Sequence, residues 1–144
     1  MITREFRRAV EQALGLRGWT NWTPTVTQLG SVAVTINNAR YMRIGKLIIL
    51  TAYLTVTGSG TGNNAIVISG LPATGAYATA GQVVGDGAIL DNGSAWYAGA
   101  SLIMETTTTL KFRVSGNNDY AGITPNFALA NTDAISFTCT YEAA

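Results

Sequence analysis

Short runs of alternating apolar and polar residues, separated by turn residues, dominate the sequence from Trp22 to its end. The clearest run covers residues 135–141, in which every second residue is apolar. Alternation of this kind is typical of a strand with one face against a core, and it places the lone Cys139 inside that core. Because such runs recur at least eight times, we expect an all-β fold, an antiparallel β-sandwich of the jelly-roll type, preceded by one short N-terminal α-helix.

The strand and turn boundaries follow from β-branched and aromatic runs and from Gly, Asn and Pro punctuation. We expect the Gly-rich segment 58–64 to be a hairpin connection, and 92–93 and 116–119 to be turns. The predicted strands are 24–28, 31–36, 39–44, 46–57, 65–69, 82–91, 95–97, 100–105, 108–114 and 134–142.

The first seventeen residues differ from the rest, because they carry six of the seventeen charged side chains. Thr3 is a candidate helix N-cap, and Gly15 is placed to end the helix. One face of that helix is apolar, with Phe6, Val10, Ala13 and Leu14. We therefore divide the chain into a helical segment, residues 1–17, and a β-domain, residues 18–144.

A helix of about 12 residues is marginal in isolation, so its apolar face must dock on something. The candidates are its own β-domain, sister copies or another protein, and we expect an attachment or trimerisation element. Trp19 and Trp22 follow the helix and are assigned to the same junction. Phe6, Val10, Leu14, Trp19 and Trp22 are thus the candidate attachment or oligomer interface.

Charged residues make up 12% of the chain, about half the usual share, and the net charge is +1. A surface so poor in charge favours coverage by copies of the chain or by a partner. The balance of charges argues against nucleic-acid binding. No apolar run is long enough for membrane insertion, and no signal-peptide pattern is visible, which fits assembly in the cytoplasm.

Catalysis is not expected, because the chain has no histidine and one cysteine. Ser-His and Cys-His nucleophiles and the common zinc sites are therefore ruled out. Two carboxylates could still hydrolyse a glycoside, but most of the candidates sit in or beside turns. They are Asp86, Asp91, Glu105, Asp119, Asp133 and Glu142. We predict no catalytic residue, no metal and no cofactor.

Aromatic residues beside amides in loops suggest a ligand site, because rings stack on sugar faces and amides bond hydroxyl groups. Trp96 and Tyr97 follow one predicted turn, and Asn118 and Tyr120 lie at another. These four residues are the candidate ligand-binding set, with a carbohydrate as the expected ligand. The alternative is that the same aromatic rings pack in the core or between subunits and bind no ligand.

Three elements carry a resemblance to a known class of protein. The first is Trp22-Thr23-Pro24-Thr25-Val26, the second runs from Tyr41 through Arg43 to Gly45-Lys46, and the third is Leu71-Pro72. Together they resemble the small distal β-sandwich modules of bacteriophage tail fibres and minor tail proteins. The resemblance covers residues 22–72.

The resemblance implies a virion structural protein that forms a homotrimer, contacts other virion proteins and presents loops to a host-surface receptor such as a glycan. Fibre proteins usually carry a long shaft, and this chain has one short helix instead. A capsid decoration protein, anchored by that helix, is therefore the alternative.

Overall fold

The computed structural model describes residues 3–14 and 18–144. Within them one helix precedes ten strands, so the predicted all-β architecture with an N-terminal helix is confirmed. Helix α1 spans Arg4–Ala13. The strands are β1 Thr20–Asn21, β2 Thr25–Gln28, β3 Gly30–Val32, β4 Val34–Ile44, β5 Leu47–Val56, β6 Val67–Ser69, β7 Val83–Asp91, β8 Ala95–Thr106, β9 Thr109–Arg113 and β10 Ala134–Glu142.

The strands form one continuous antiparallel sheet in the order β1-β4-β5-β10-β7-β8-β9-β6-β2-β3. The sheet curls on itself. Phe112 on β9 and Phe137 on β10 are separated by two strands in that order, yet their ring centroids lie 5.8 Å apart. The apolar side chains are thereby enclosed by a single curled sheet, and both the β-sandwich and its jelly-roll connectivity stay predictions.

The alternating sequence pattern explains which side of each strand is buried. On β5 the side chains of Ile48, Leu50 and Leu54 are fully buried. On β10 every second residue is buried as well, and Cys139 is among them, as the sequence predicted. Burial raises the pKa of the Cys139 thiol to about 12, because the thiolate would lose its hydration.

Several predicted boundaries change. Segments 31–36 and 39–44 are divided differently, because strand β3 ends before Ala33 and the single strand β4 then runs from Val34 to Ile44. Segments 95–97 and 100–105 merge into β8, which takes up irregularities against β7 and β9. The two-residue strand β1 was not predicted. Strand β10 lies where it was expected, at Ala134–Glu142.

The prediction of a hairpin at 58–64 is wrong. Strand β5 pairs with β4 and β10, whereas β6 pairs with β9 and β2. The segment instead crosses between distant strands, and the Gly60 N–H donates to the Leu129 carbonyl at 2.7 Å. A glycine-rich loop permits many connections, and long-range strand pairing decides among them.

The strand directions define two ends of the domain. The β4–β5 turn at Gly45 lies at one end, which we call the helix end, because α1 is near it. The opposite end, which we call the loop end, holds the β7–β8 turn and segments 58–64 and 126–133. The Asn92 N–H donates to Asp133 Oδ1 there at 2.9 Å. Strand β5 has 10 residues, so the two ends lie about 34 Å apart.

Candidate functional site

Helix α1 begins at a capped terminus, as the sequence predicts. Thr3 Oγ1 accepts a hydrogen bond from the Phe6 N–H at 3.1 Å, and the Arg7 N–H donates to the Thr3 carbonyl at 3.0 Å. Arg7 and Glu11 form an exposed i,i+4 ion pair at 3.4 Å. The helix ends at Ala13, and the predicted stop at Gly15 lies outside the described residues.

The apolar stripe of α1 is open to solvent. Phe6 is 58% exposed, Val10 37% and Leu14 53%, and none of the helix residues is buried. Phe6, Val10 and Ala13 are spaced by four and then three residues, which is the spacing of a coiled-coil seam. The helix therefore does not bury this stripe on its own β-domain, and the stripe remains available to another surface.

An open depression of about 280 Å³ separates the last turn of α1 from the β4–β5 turn. Its lining residues are Gln12, Ala13, Gly18, Thr20, Tyr41, Arg43 and Gly45. The Arg43 side chain bonds locally, because its Nε donates to the Gly45 carbonyl at 2.8 Å. This places α1 at the helix end of the domain. Among the described residues, no helix is long and apolar enough to cross a bilayer.

The two tryptophans after the helix have different environments. Trp22 is 7% exposed, its Nε1 donates to the Thr51 carbonyl at 3.3 Å, and its ring meets Phe137 edge to face at 6.3 Å. Trp22 is therefore a core residue and is not available to the attachment or oligomer interface to which the sequence analysis assigned it. Trp19 is 46% exposed and stays a candidate, together with the α1 stripe.

Trp96 and Tyr97, at the start of β8, lie at the loop end and point to opposite sides of the sheet. Trp96 pairs with Leu90 on the outer side and is 61% exposed. Tyr97 pairs with Ile89, which is fully buried, and its ring stacks on Phe127 at 5.0 Å. Of these two rings, Trp96 is the one that is free to stack on a ligand.

Strand β9 runs toward the loop end, so the turn 116–119 that follows it lies toward the same end of the domain as Trp96. Asn118 in this turn is exposed. Tyr120 is 7% exposed, and the Lys111 ammonium and the Arg113 guanidinium lie 4.7 and 4.9 Å from its ring centroid. Within residues 3–14 and 18–144 no hydrogen bond or ring contact joins two of the four predicted ligand residues. The ligand-binding set stays a prediction that rests on Trp96 and Asn118.

The polar side chains around Tyr120 interact with one another, as in a cluster that stabilises the fold. Lys111 forms an ion pair with Glu105, and burial raises the pKa of Tyr120, with a further increase from the Glu105 charge. Arg113 Nε has no hydrogen-bond partner among the described residues. Because its pKa is raised, the Tyr120 phenol is protonated at neutral pH, and both cations lie within cation–π range of its ring.

One pair of carboxylates interacts electrostatically. Burial raises the pKa of Asp91, and the neighbouring Asp133 charge adds to that effect. Both Asp133 oxygens accept backbone hydrogen bonds, from the Asn92 N–H at 2.9 Å and the Ala130 N–H at 2.8 Å. Asp133 thus anchors two loops, as the turn role predicts. In the part of the chain that the structure describes, no three His, Cys, Asp or Glu side chains converge as metal ligands would.

Gln28 is a second loop anchor, and the sequence analysis did not identify it. It is 1% exposed. Its Nε2 donates to the Phe127 carbonyl at 2.8 Å and to the Asn64 carbonyl at 3.1 Å, and its Oε1 accepts from the Leu129 N–H at 2.9 Å. Gly122, with φ of +98°, has no side chain to collide with the Asn64 carbonyl. Strand β2 is thereby tied to two separate loops.

Comparison with known proteins found no protein family, curated protein or solved structure with significant similarity to this chain. The resemblance to phage tail modules therefore rests on the three sequence elements alone.

Proposed function

We propose that this chain is a non-enzymatic structural module of a bacteriophage virion, a trimeric tail-fibre or tail-tip protein that binds a host-surface receptor such as a glycan. The observation that carries the proposal is the division of the domain between its two ends. An open apolar helix stripe lies at the helix end, and exposed Trp96 and Asn118 lie toward the loop end, at the other end of strand β5, which is about 34 Å long. A tip protein needs this arrangement, with attachment at one end and recognition at the other.

The α1 stripe supports the attachment half of the proposal. Its three large side chains are about half exposed, and covering them contributes about 2–4 kcal/mol per copy. An isolated helix of 10 residues is marginal, so this contribution decides whether α1 is formed. A virion partner that covers the stripe would stabilise both the helix and the junction.

The composition of the β-domain supports an oligomer. Eleven of the seventeen charged residues are distributed over residues 18–144, and the remaining surface is mostly Thr, Ser, Asn, Gly and Ala. Cores of interfaces between proteins are depleted in charge in the same way. A closed trimer would cover part of this surface and leave the two ends of the domain free.

The first test is the mass of the full chain in solution by light scattering. One chain has a mass of 15.1 kDa, so a trimer has a mass of about 45 kDa. A triple variant, Phe6→Gln, Val10→Gln and Leu14→Gln, removes the apolar stripe and keeps good helix formers. The control, Glu5→Gln with Arg8→Gln, changes the opposite face of the same helix.

We expect a trimeric wild type, a trimeric control and a triple variant that no longer attaches to the other proteins of the virion. A monomeric wild type at micromolar concentration contradicts the trimer. A triple variant that attaches as well as the wild type contradicts the role of α1.

The capsid decoration protein is the second candidate, and the open stripe of α1 favours it equally. The two candidates differ at the loop end. In a receptor-binding protein Trp96→Ala reduces adsorption to host cells at least tenfold, because loss of a stacking ring costs about 1.4 kcal/mol or more. In a decoration protein Trp96→Ala leaves binding to the capsid shell unchanged. Tyr77→Ala, which removes an exposed ring that belongs to neither candidate site, is the control for both.

A further inference from the structure

One cross-strand row on the outside of the domain carries two opposite charges. Arg40 on β4 pairs with Thr51 on β5, Thr51 with Thr138 on β10, and Thr138 with Asp86 on β7. The buried neighbours Leu50 and Cys139 point inward, so this row points outward. We call the solvent side of β4, β5, β10 and β7 the outer face.

Arg40 and Asp86 are exposed, and neither has an ion-pair or side-chain hydrogen-bond partner within residues 3–14 and 18–144. They stand three strand spacings apart, about 14 Å, which is too far for pairing within one copy. The next charge along the row is Arg113, beyond Ser101. Its guanidinium lies over the Tyr120 ring, 4.9 Å from the centroid. Within the described residues Asp86 is therefore left without a cation partner.

The rows on either side of this one are uncharged. Tyr53, which is 46% exposed, lies between Asn38 and Ser136 in one row. Ile49 lies in the middle of the other. A surface with an aromatic ring, an aliphatic side chain and hydroxyl groups loses little hydration when it is covered.

We propose that the outer face is the contact between copies of this chain, with Arg40 of each copy paired to Asp86 of a neighbouring copy. If the copies are related by a rotation axis parallel to β5 and β10, the edge of the outer face that carries Arg40 meets the edge of the neighbouring copy's face that carries Asp86. If the axis instead ran along the row, Arg40 of one copy would face Arg40 of the next, and repulsion between these like charges disfavours that arrangement. The positions of the two charges therefore select the direction of the axis.

The inference rests on the trimer proposed above and names its interface. With the copies held together by the β-domain, the α1 stripe is free for a different virion protein. Four strands are about 19 Å wide and ten residues about 34 Å long, so the face covers roughly 650 Å² per copy, divided between the two neighbours of a closed trimer.

Charge exchange in the full chain tests the pairing. Arg40→Asp and Asp86→Arg each place two like charges together, and the double variant restores opposite charges in reversed positions. We expect each single variant to weaken self-association at least tenfold in sedimentation equilibrium, and the double variant to return to within about threefold of wild type. The control is Lys46→Glu, which changes an exposed charge in the β4–β5 turn. Thermal melting checks that every variant is folded, as expected for exposed positions.

The outcomes separate this inference from the proposed function. A trimeric wild type with single variants of unchanged affinity overturns the outer-face contact and leaves the trimer standing. Weakened single variants without rescue in the double variant overturn the Arg40–Asp86 pairing. A monomeric wild type overturns the trimer and this interface together.

Discussion

Replacing Gln28 by Met tests how the loop end is held. The two side chains have similar length and volume, so the substitution removes hydrogen bonds with little change in packing. Three backbone groups lose their partner, namely the carbonyls of Phe127 and Asn64 and the N–H of Leu129. The bonds to Phe127 and Leu129 are buried, and the bond to Asn64 is partly buried.

The expected loss follows from these environments. A buried backbone group without a partner costs about 1–3 kcal/mol, and a partly buried one less, because water can reach it. The sum is about 3–5 kcal/mol, offset by roughly 1 kcal/mol for burial of the apolar Met in place of an amide. We expect Gln28→Met to lower the free energy of unfolding by about 3 kcal/mol. That is a large share of the 5–15 kcal/mol of an ordinary domain.

Urea unfolding followed by circular dichroism measures this loss. With a slope of about 2 kcal/mol per molar urea, the midpoint falls by about 1.5 M. The matched control is Gln82→Met, because the Gln82 side chain makes no hydrogen bond within the described residues and the chemical change is the same. If both variants lose the same stability, or if Gln28→Met loses less than about 1 kcal/mol, the anchoring role of Gln28 is refuted.

Three further predictions concern the backbone, the core and pH. Gly122→Ala is expected to lower the free energy of unfolding by at least about 2 kcal/mol more than Gly93→Ala does, and paired urea titrations compare the two variants. Both positions have positive φ, but only at Gly122 would the added Cβ collide with a carbonyl oxygen, that of Asn64. Trp22→Ala is expected to cost about 3–5 kcal/mol and Trp19→Ala less than about 0.5 kcal/mol, and equal losses would contradict the core position of Trp22. The raised pKa of Cys139 means that above pH 9 the unfolded chain loses a proton that the folded chain keeps until about pH 12. Cys139 should therefore lower the free energy of unfolding between pH 9 and 12 by up to about 1.4 kcal/mol per pH unit, and Cys139→Val, measured at the same pH values, should show a shallower fall.

The sequence predicted the elements whose form is decided locally. Strand β10 alternates strictly and begins and ends where its pattern does. The N-cap of α1 needs only Thr3 and the next three residues. Local pattern and side-chain chemistry decide such features, so they can be predicted without knowledge of the rest of the chain.

The elements that were missed depend on distant partners. Strand β1 has two residues and exists because Thr20 and Asn21 pair with β4. The crossing of segment 58–64 depends on which strands flank β5, and a glycine-rich loop does not contain that information. Gln28 bonds backbone groups up to 101 residues away, so its own neighbours in sequence give no indication of its role.

The loop anchors bear on the proposed recognition of a receptor. A loop that is already fixed loses less conformational entropy when it binds, so a fixed loop end binds more tightly for the same contacts. Gln28 and Asp133 hold segments 58–64 and 126–133 in place, and Trp96 is exposed at the same end of the domain. If the loop end recognises a receptor, Gln28→Met should reduce adsorption to host cells even where the domain remains folded. Attachment through α1, about 34 Å away, should then be unchanged. Loss of both functions together would mean that the substitution acts through global unfolding, and the division of the domain into two independent ends would lose its support.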